Sequence, residues 1–426
     1  MSKNTRLLSI LFIVLSAIAV RIPHVLDSNL VLDGDEAIIG LMAIDFIENG
    51  KFPGYFAGQH YGLSTIEVLT SAFSFQIFGI QDWAQKLSTF VIWVIGLIYF
   101  YKALTHIQPK HWKMALLISL LLAWAPTWLY WSMKARGGYV SAFCAVSVLL
   151  FLITKPQPKS SNYIFIGVLF SLISQFQLLF CLGVIPLILY KTVHQWKNKS
   201  WLIPISGIVT MLMLYPAKIA QVNIWNPSLL TFNHGISSWL SNFPLRLTHH
   251  FSGTYYLGAN WPMTPLALAC GALLTLFLGS FLLYTLIKWG KRKELFNTKS
   301  LLAFGIGGNI VVSFFLIPGG RYYLPILMLL LLLVFLSFKK ETLKVNVALG
   351  ALCLLFISAS LRNPFKVKAD QYRFATNMDK SSLNLLSETL EKEKIKNVFT
   401  ANGLGQYQLM FYTKGEVNAR YLLEKD

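Results

Sequence analysis

The sequence predicts an all-helical polytopic membrane protein, and three observations predict it. Apolar residues fill 55% of the 426 positions and charged ones only 13%, about half the charged share of an ordinary soluble domain. Apolar runs of bilayer length recur along the chain, from residues 7–20 through to 344–361. The net charge of +19 is gathered in short clusters between those runs. That is the pattern of loops kept on the cytoplasmic side, and it argues against a nucleic-acid partner.

Each element follows from this frame. Lys3 and Arg6 precede the first run, and Arg21-Ile22-Pro23-His24 after it offers no small-residue cleavage site, so an uncleaved first helix is expected. It delivers residues 22–85 to the outer face. Within that loop, 62–79 carries Ser64, Glu67, Thr70, Ser71 and Ser74 on one stripe and Ile66, Leu69, Phe73 and Ile77 on the other. Such a segment is expected to lie on the membrane as a surface helix. If it crossed, Lys110, Lys113, Lys155 and Lys159 would all face outward; on the surface it puts them inside.

Spans are then expected at 86–104, 114–132, 138–154, 201–217, 263–287, 301–317, 323–338 and 344–361. The stretch from Tyr163 to Tyr190 is too long for one span and is expected as two short helices with a polar apex at Gln175 and Gln177. The sum is about eleven crossings, N-terminus cytoplasmic and C-terminus outside. Residues 1–361 form the transmembrane domain on this reading, and 362–426 a small soluble α/β tail outside the membrane. In the tail, Leu383, Leu386 and Leu390 mark a helix, Asn397 to Thr400 a strand, and Gly403 to Tyr412 another helix. It is small for independent stability and is expected to pack on the membrane domain. Cys144, Cys181, Cys270 and Cys353 each sit inside apolar runs and read as core residues.

The polar side chains able to do chemistry concentrate in the outer loops. Asp33-Gly34-Asp35-Glu36 opens a helix that should end at Gly50. Asp33 and Glu36 have the spacing of a capping box, Asp33 as N-cap and Glu36 reaching back. Asp35 is surplus to capping: it favours the helix dipole, or acts as a general base, or holds a divalent metal. Arg136, between Ala135 and Gly137-Gly138-Tyr139, suits bidentate phosphate binding, and otherwise anchors at the interface beside a belt of Trp124, Trp128 and Trp131. Arg321, after Pro318-Gly319-Gly320 and before Tyr322, has the same two readings. Gln59, Tyr61 and Glu67 flank the surface helix and can line the same cavity. His249 and His250 with Asp35 form the candidate metal set, although their spacing is that of ordinary interfacial histidines.

These motifs together carry a resemblance. Leu32-Asp33-Gly34-Asp35-Glu36-Ala37, Gly58-Gln59-His60-Tyr61-Gly62 with Glu67, Ala135-Arg136-Gly137-Gly138-Tyr139 and Gly320-Arg321-Tyr322-Tyr323 resemble GT-C-type membrane glycosyltransferases. The likeness is to family 39 in particular, the protein mannosyltransferase and lipid A aminoarabinose transferase group. The resemblance implies a GT-C fold in a bacterial inner (plasma) membrane and an inverting transfer of a sugar from a polyprenyl-phosphate donor on the non-cytoplasmic face. The acceptor would be lipopolysaccharide, another glycan or a protein. Asp35 takes the catalytic place, with Glu36, Arg136, Tyr139, Arg321, Tyr322, Gln59 and Tyr61 at substrate; a divalent metal is an open option. A lipid-linked glycan flippase or transporter, and a glycan polymerase or ligase, are the alternatives. A transporter would carry charges deep within its spans, whereas here they gather at the outer surface.

Overall fold

The chain, seen in a computed structural model, is described for residues 2–25, 32–56, 62–155, 158–219, 298–315, 324–338, 341–362, 380–401, 403 and 405–421, with isolated helical positions between 265 and 287. It begins with α1 (Lys3–Val25), α2 (Gly34–Asn49), α3 (Thr65–Phe78) and α4 (Asp82–Ile107). Next come α5 (Trp112–Trp124), α6 (Pro126–Trp131), α7 (Tyr139–Ile153), α8 (Ser160–Phe176), α9 (Leu178–His194) and α10 (Leu202–Ile219). Then follow α11 (Thr298–Phe315), α12 (Leu324–Ser337) and α13 (Leu343–Arg362). The expected span 263–287 falls largely outside the described residues.

In the bundle, α7 packs between α4 and α8, α8 against α10, α9 against α11, and α5 between α1 and α13. The shared core runs from Trp93 and Phe143 to Leu327–Val334 on α12. Outward faces are apolar as well: Leu7, Leu8 and Leu15 on α1, Val91 and Ile95 on α4, Ile208 and Met213 on α10, Val347 and Leu354 on α13. Water does not tolerate such faces, and a bilayer does. By length and composition alone, Lys3–Pro23 and Asp82–Ile107 suffice to cross a membrane among the described residues; the other apolar helices are shorter.

The two ends of the bundle differ chemically. At one end, His106 Nδ1 lies 3.2 Å from the Thr154 carbonyl, Lys191 donates to the carbonyl of Ile153 at 2.9 Å, and Tyr163 hydrogen-bonds Gln195 at 2.9 Å. The basic segments 102–113, 155–159 and 191–199 therefore share that end. At the other, α8 and α9 meet at Gln177, the polar apex expected from the sequence, where its side chain donates to the Gly137 carbonyl at 2.6 Å and the Leu63 amide to the Gln175 carbonyl at 3.0 Å.

The expected continuous span 114–132 is broken. Ala125 is extended (φ −58°, ψ 125°) and Pro126 starts α6, because proline supplies no amide to continue the ladder and forces the residue before it out of the helical region. Arg21, 2% exposed, packs at this break: it donates to the Ala123 carbonyl just before it at 3.2 Å, to the Trp128 carbonyl, which also accepts the Ser132 amide, at 3.2 Å, and to Ser132 Oγ at 2.7 Å. Its guanidinium lies 4.3 Å from the Trp93 ring centre. Trp128 and Trp131 are buried with this arginine rather than forming an interfacial belt.

α3 is inverted relative to a helix of a water-soluble protein. Its polar stripe faces protein, with Ser71 3.2 Å from Ser88 and Ser74 donating to the Ala84 carbonyl at 2.7 Å, while Phe73 and Ile77 point outward. Small polar residues let α3 and α4 approach closely.

The tail consists of α14 (Lys380–Lys392), β1 (Asn397–Thr400), α15 (Gly405–Tyr412) and β2 (Asn418–Tyr421), the two strands pairing in parallel with Asn397 opposite Asn418. One face of α15 closes the tail's own core through Leu409, with Leu390, Val417 and Ala419. Its other face lies on α2, where Phe411 fills the space above Gly40 and joins Ile39, Phe75 and Ala84 in a second apolar cluster. Gln408 donates to the Leu32 carbonyl at 2.8 Å, and Lys380 pairs with the buried Asp82 at 2.8 Å. Phe411→Ala should therefore cost about 3 kcal/mol of stability. Limited proteolysis in detergent should then release the tail from Phe411→Ala at a protease dose that leaves the wild-type chain whole.

Candidate active site

The site is built on the start of α2. Asp33 is its N-cap in extended conformation, accepting the Glu36 amide at 2.9 Å, while Glu36 Oε2 accepts the Asp33 amide at 3.1 Å. This is the capping box read from the sequence, and the helix ends at Gly50 (φ 65°) as expected, in the left-handed region that glycine tolerates.

Two lysines complete the arrangement. Lys86, at the start of α4, donates to Glu36 Oε1 at 2.8 Å. Lys134 bonds Asp33 and sits 3.6 Å from Glu36 and 2.9 Å from the Tyr130 hydroxyl. Asp33 is driven up by burial, but Lys134 first and Arg136 second outweigh that and hold its carboxyl well below the usual carboxylate range. Glu36, expected beside substrate, is turned inward with a side chain only 1% exposed, and supports the site from beneath. Neither lysine is singled out by the sequence: Lys86 has Asp82 one turn before it and reads as an ordinary helix-surface charge, and Lys134 has no acidic residue nearby in the chain.

Asp35 differs from both. Its side chain is 15% exposed and pairs with Arg136, itself 21% exposed. Asp33 is similarly exposed, at 16%, but Lys134 holds it; Asp35 faces the arginine instead. Arg136 is presented by a turn in which Gly137 (φ 55°) and Gly138 (φ 82°) both take left-handed conformations, with Gly62 packed directly against Gly137. A β-carbon on Gly62 would stand 2.9 Å from the Gly137 carbonyl oxygen, so this approach requires glycine at 62.

The remaining expected residues divide. Tyr139 begins α7 and is buried, its ring 4.9 Å from that of Trp131. Gln59 and Tyr61 lie outside the described residues, although the chain on either side is fixed by the bridge between Tyr55 and Leu63. Arg321, Tyr322, His249 and His250 lie outside them too. Among the described residues no group of three or more His, Cys, Asp or Glu side chains is disposed to hold a metal ion. Asp35 faces the Arg136 guanidinium. Glu67, expected at the cavity wall, is wholly buried and accepts hydrogen bonds from the Gly138 amide at 3.2 Å and the Ser141 hydroxyl at 3.4 Å. Burial pushes its carboxyl up to about 7.

No family model matches the sequence, and no curated protein matches it. Among solved structures, the chain is similar to ArnT from Cupriavidus metallidurans bound to undecaprenyl phosphate, with a TM-score of 0.60 and 14% identity over 98% of this chain and 86% of that one. The apo state of ArnT from the same organism matches with a TM-score of 0.50 and 14% identity, over 100% of this chain and 87% of that one. At such identity the likeness concerns the fold, and it supports the GT-C architecture.

Burial separates the carboxylates experimentally. Glu36→Gln leaves two buried ammonium groups short of a counter-charge and should cost about 3–5 kcal/mol, seen as a lower thermal midpoint in detergent. Asp35→Asn should keep the wild-type midpoint to within about 0.5 kcal/mol. For Glu67 the sign runs against the usual carboxylate. With a folded value near 7 against its ordinary 4.5, it is neutral in both states at low pH, and stability falls as pH rises from 4.5 to 7. Thermal midpoints of Glu67→Gln should gain on wild type across that window and run parallel above it.

Proposed function

We propose that the protein is an integral membrane glycosyltransferase of the family-39 type. It moves a sugar with inversion from a polyprenyl-phosphate donor to an acceptor on the lipid A, glycan or protein surface of the non-cytoplasmic face. The observation that carries this reading is the Asp35–Arg136 pair: an acid and a cation, both open to the outside, on a capped helix start whose other carboxylates are held by lysines. The ArnT-like fold supports it, since that solved structure is bound to undecaprenyl phosphate. The carboxylates of the site gather at one end of the bundle, opposite the basic segments, which favours surface chemistry over passage of a glycan through it.

The chemistry follows from the charges. A donor phosphate arriving at Arg136 competes for the guanidinium and releases Asp35 from its pair. Asp35 then takes the proton from an acceptor hydroxyl or amine as that atom attacks the anomeric carbon from the face opposite the phosphate. The bond from the anomeric carbon to the phosphate oxygen breaks, and its electron pair leaves with the polyprenyl phosphate. Arg136 stabilises the charge growing on that leaving group, and Arg321 with Tyr322 is proposed to approach it from the other side. Gln59 and Tyr61 are proposed to line the sugar, and Tyr139 with Glu36 to hold the walls. Under this reading the basic end of the bundle is cytoplasmic and about eleven helices cross the membrane.

A transfer assay with a panel of polyprenyl-phosphate sugars and lipid A, glycan and peptide acceptors tests the proposal. Asp35→Asn should lower kcat by roughly a hundredfold or more with donor KM little changed. Arg136→Ala should raise donor KM as well as lower kcat. Full turnover by a folded Asp35→Asn protein would remove Asp35 from the reaction.

A further inference from the structure

Glu67 is a buried acid that the reaction above does not use. It reaches from α3 to the first turn of α7, a helix capped by Gly138, which has no side chain to accept from the amides left open there. No capping side chain could replace this glycine. Its φ is 82°, and a β-carbon would lie 3.0 Å from the Leu63 oxygen and 3.0 Å from the Phe176 backbone. The carboxylate of Glu67 supplies the missing acceptor, taking the Gly138 amide on one oxygen and the Ser141 hydroxyl on the other. Hydrogen bonds from Gly138, Ser141 and Val140 partly offset the burial that raises its carboxyl.

Gly138 stands two residues after Arg136, in the same turn. That turn is held at Gly137 by Gln177 on one side and by the Gly62 backbone on the other. Glu67 is its third attachment and the one that ties it to the helix behind.

We propose that Glu67 is a positioning residue that caps α7 from a distance and thereby aims Arg136 at the donor phosphate. The proposal rests on the reading of Arg136 as the phosphate ligand. A space-filling role would ask only for volume at this position; a positioning role asks for two acceptor oxygens. Glu67→Gln keeps the volume and turns an NH2 group toward one of the two donors, so it separates the roles.

The test uses the full-length protein in detergent, as wild type, Glu67→Gln, Arg136→Ala and the double variant. Two quantities are measured: hydrogen exchange of the amides at 138–141, and equilibrium binding of undecaprenyl phosphate. Exchange at 138–141 should quicken in Glu67→Gln while that of α4 and α8 holds. Affinity should fall roughly tenfold, the worth of one charged hydrogen bond, with no further fall when Glu67→Gln is added to Arg136→Ala. Unchanged exchange, unchanged affinity in Glu67→Gln, or losses that add in full would each overturn the proposal. Wild-type affinity in Arg136→Ala alone would instead remove the phosphate role of Arg136, and exchange would still decide whether Glu67 holds the turn. If Glu67→Gln does not accumulate, Ser141→Ala removes one donor and should move both readouts in the same direction by a smaller factor.

Discussion

The acidic end of the bundle depends on one buried ion cluster, in which Glu36 and Asp33 of α2 meet Lys86 of α4 and Lys134 before α7. Charges taken out of water are costly unless each is paired and hydrogen-bonded, and here each is. The cluster draws the starts of two helices and a connecting turn to one point. It also sets Asp33 and Glu36 apart from Asp35. Asp33 and Glu36 are committed to lysines, and Asp35, next to Glu36 and two residues after Asp33, is left to the partly exposed Arg136.

Around that point the chain answers to two surroundings at once. A helix such as α3 would turn its serines and Glu67 to water in a soluble protein; here they face α4 and α7, and Phe73 and Ile77 face outward. Arg21 shows the same logic at depth. Where Pro126 breaks the helix, polar groups away from water need a donor, and a guanidinium brings several in one plane. The arginine is held by carbonyls, a hydroxyl and the Trp93 face, and this gathers the tryptophans inward around it.

What the sequence made legible was local or governed by charge balance. The capping box needs only three residues, the end of α2 at Gly50 only one, and the break at Gln177 follows from helix length and the lysines beyond it. The strand at 397–400 was equally plain, whereas β2 was not, because residues 418–421 acquire their pairing only from β1. Lys86, Lys134 and Arg21 escaped for one reason: each finds its partners far along the chain, and a lone charge looks the same whether it ends in a loop or a core. The stripe on α3 was read correctly as two faces. Which face meets protein cannot be decided by periodicity when lipid lies on the other side.

The hydrogen bond from Gln408 to the Leu32 carbonyl joins the residue just before the acidic motif to one near the far end of the chain. Synthesis runs in the other direction of dependence. The ribosome makes the acidic helix before the bundle and the strip that packs over Gly40 after it, so α2 waits, partly uncovered, until that strip arrives. A chain that stalls before residue 408 carries every charged group of the site yet lacks the cover that holds them in register. The cover over the acidic helix start thus arrives only after the helices of the bundle have been made.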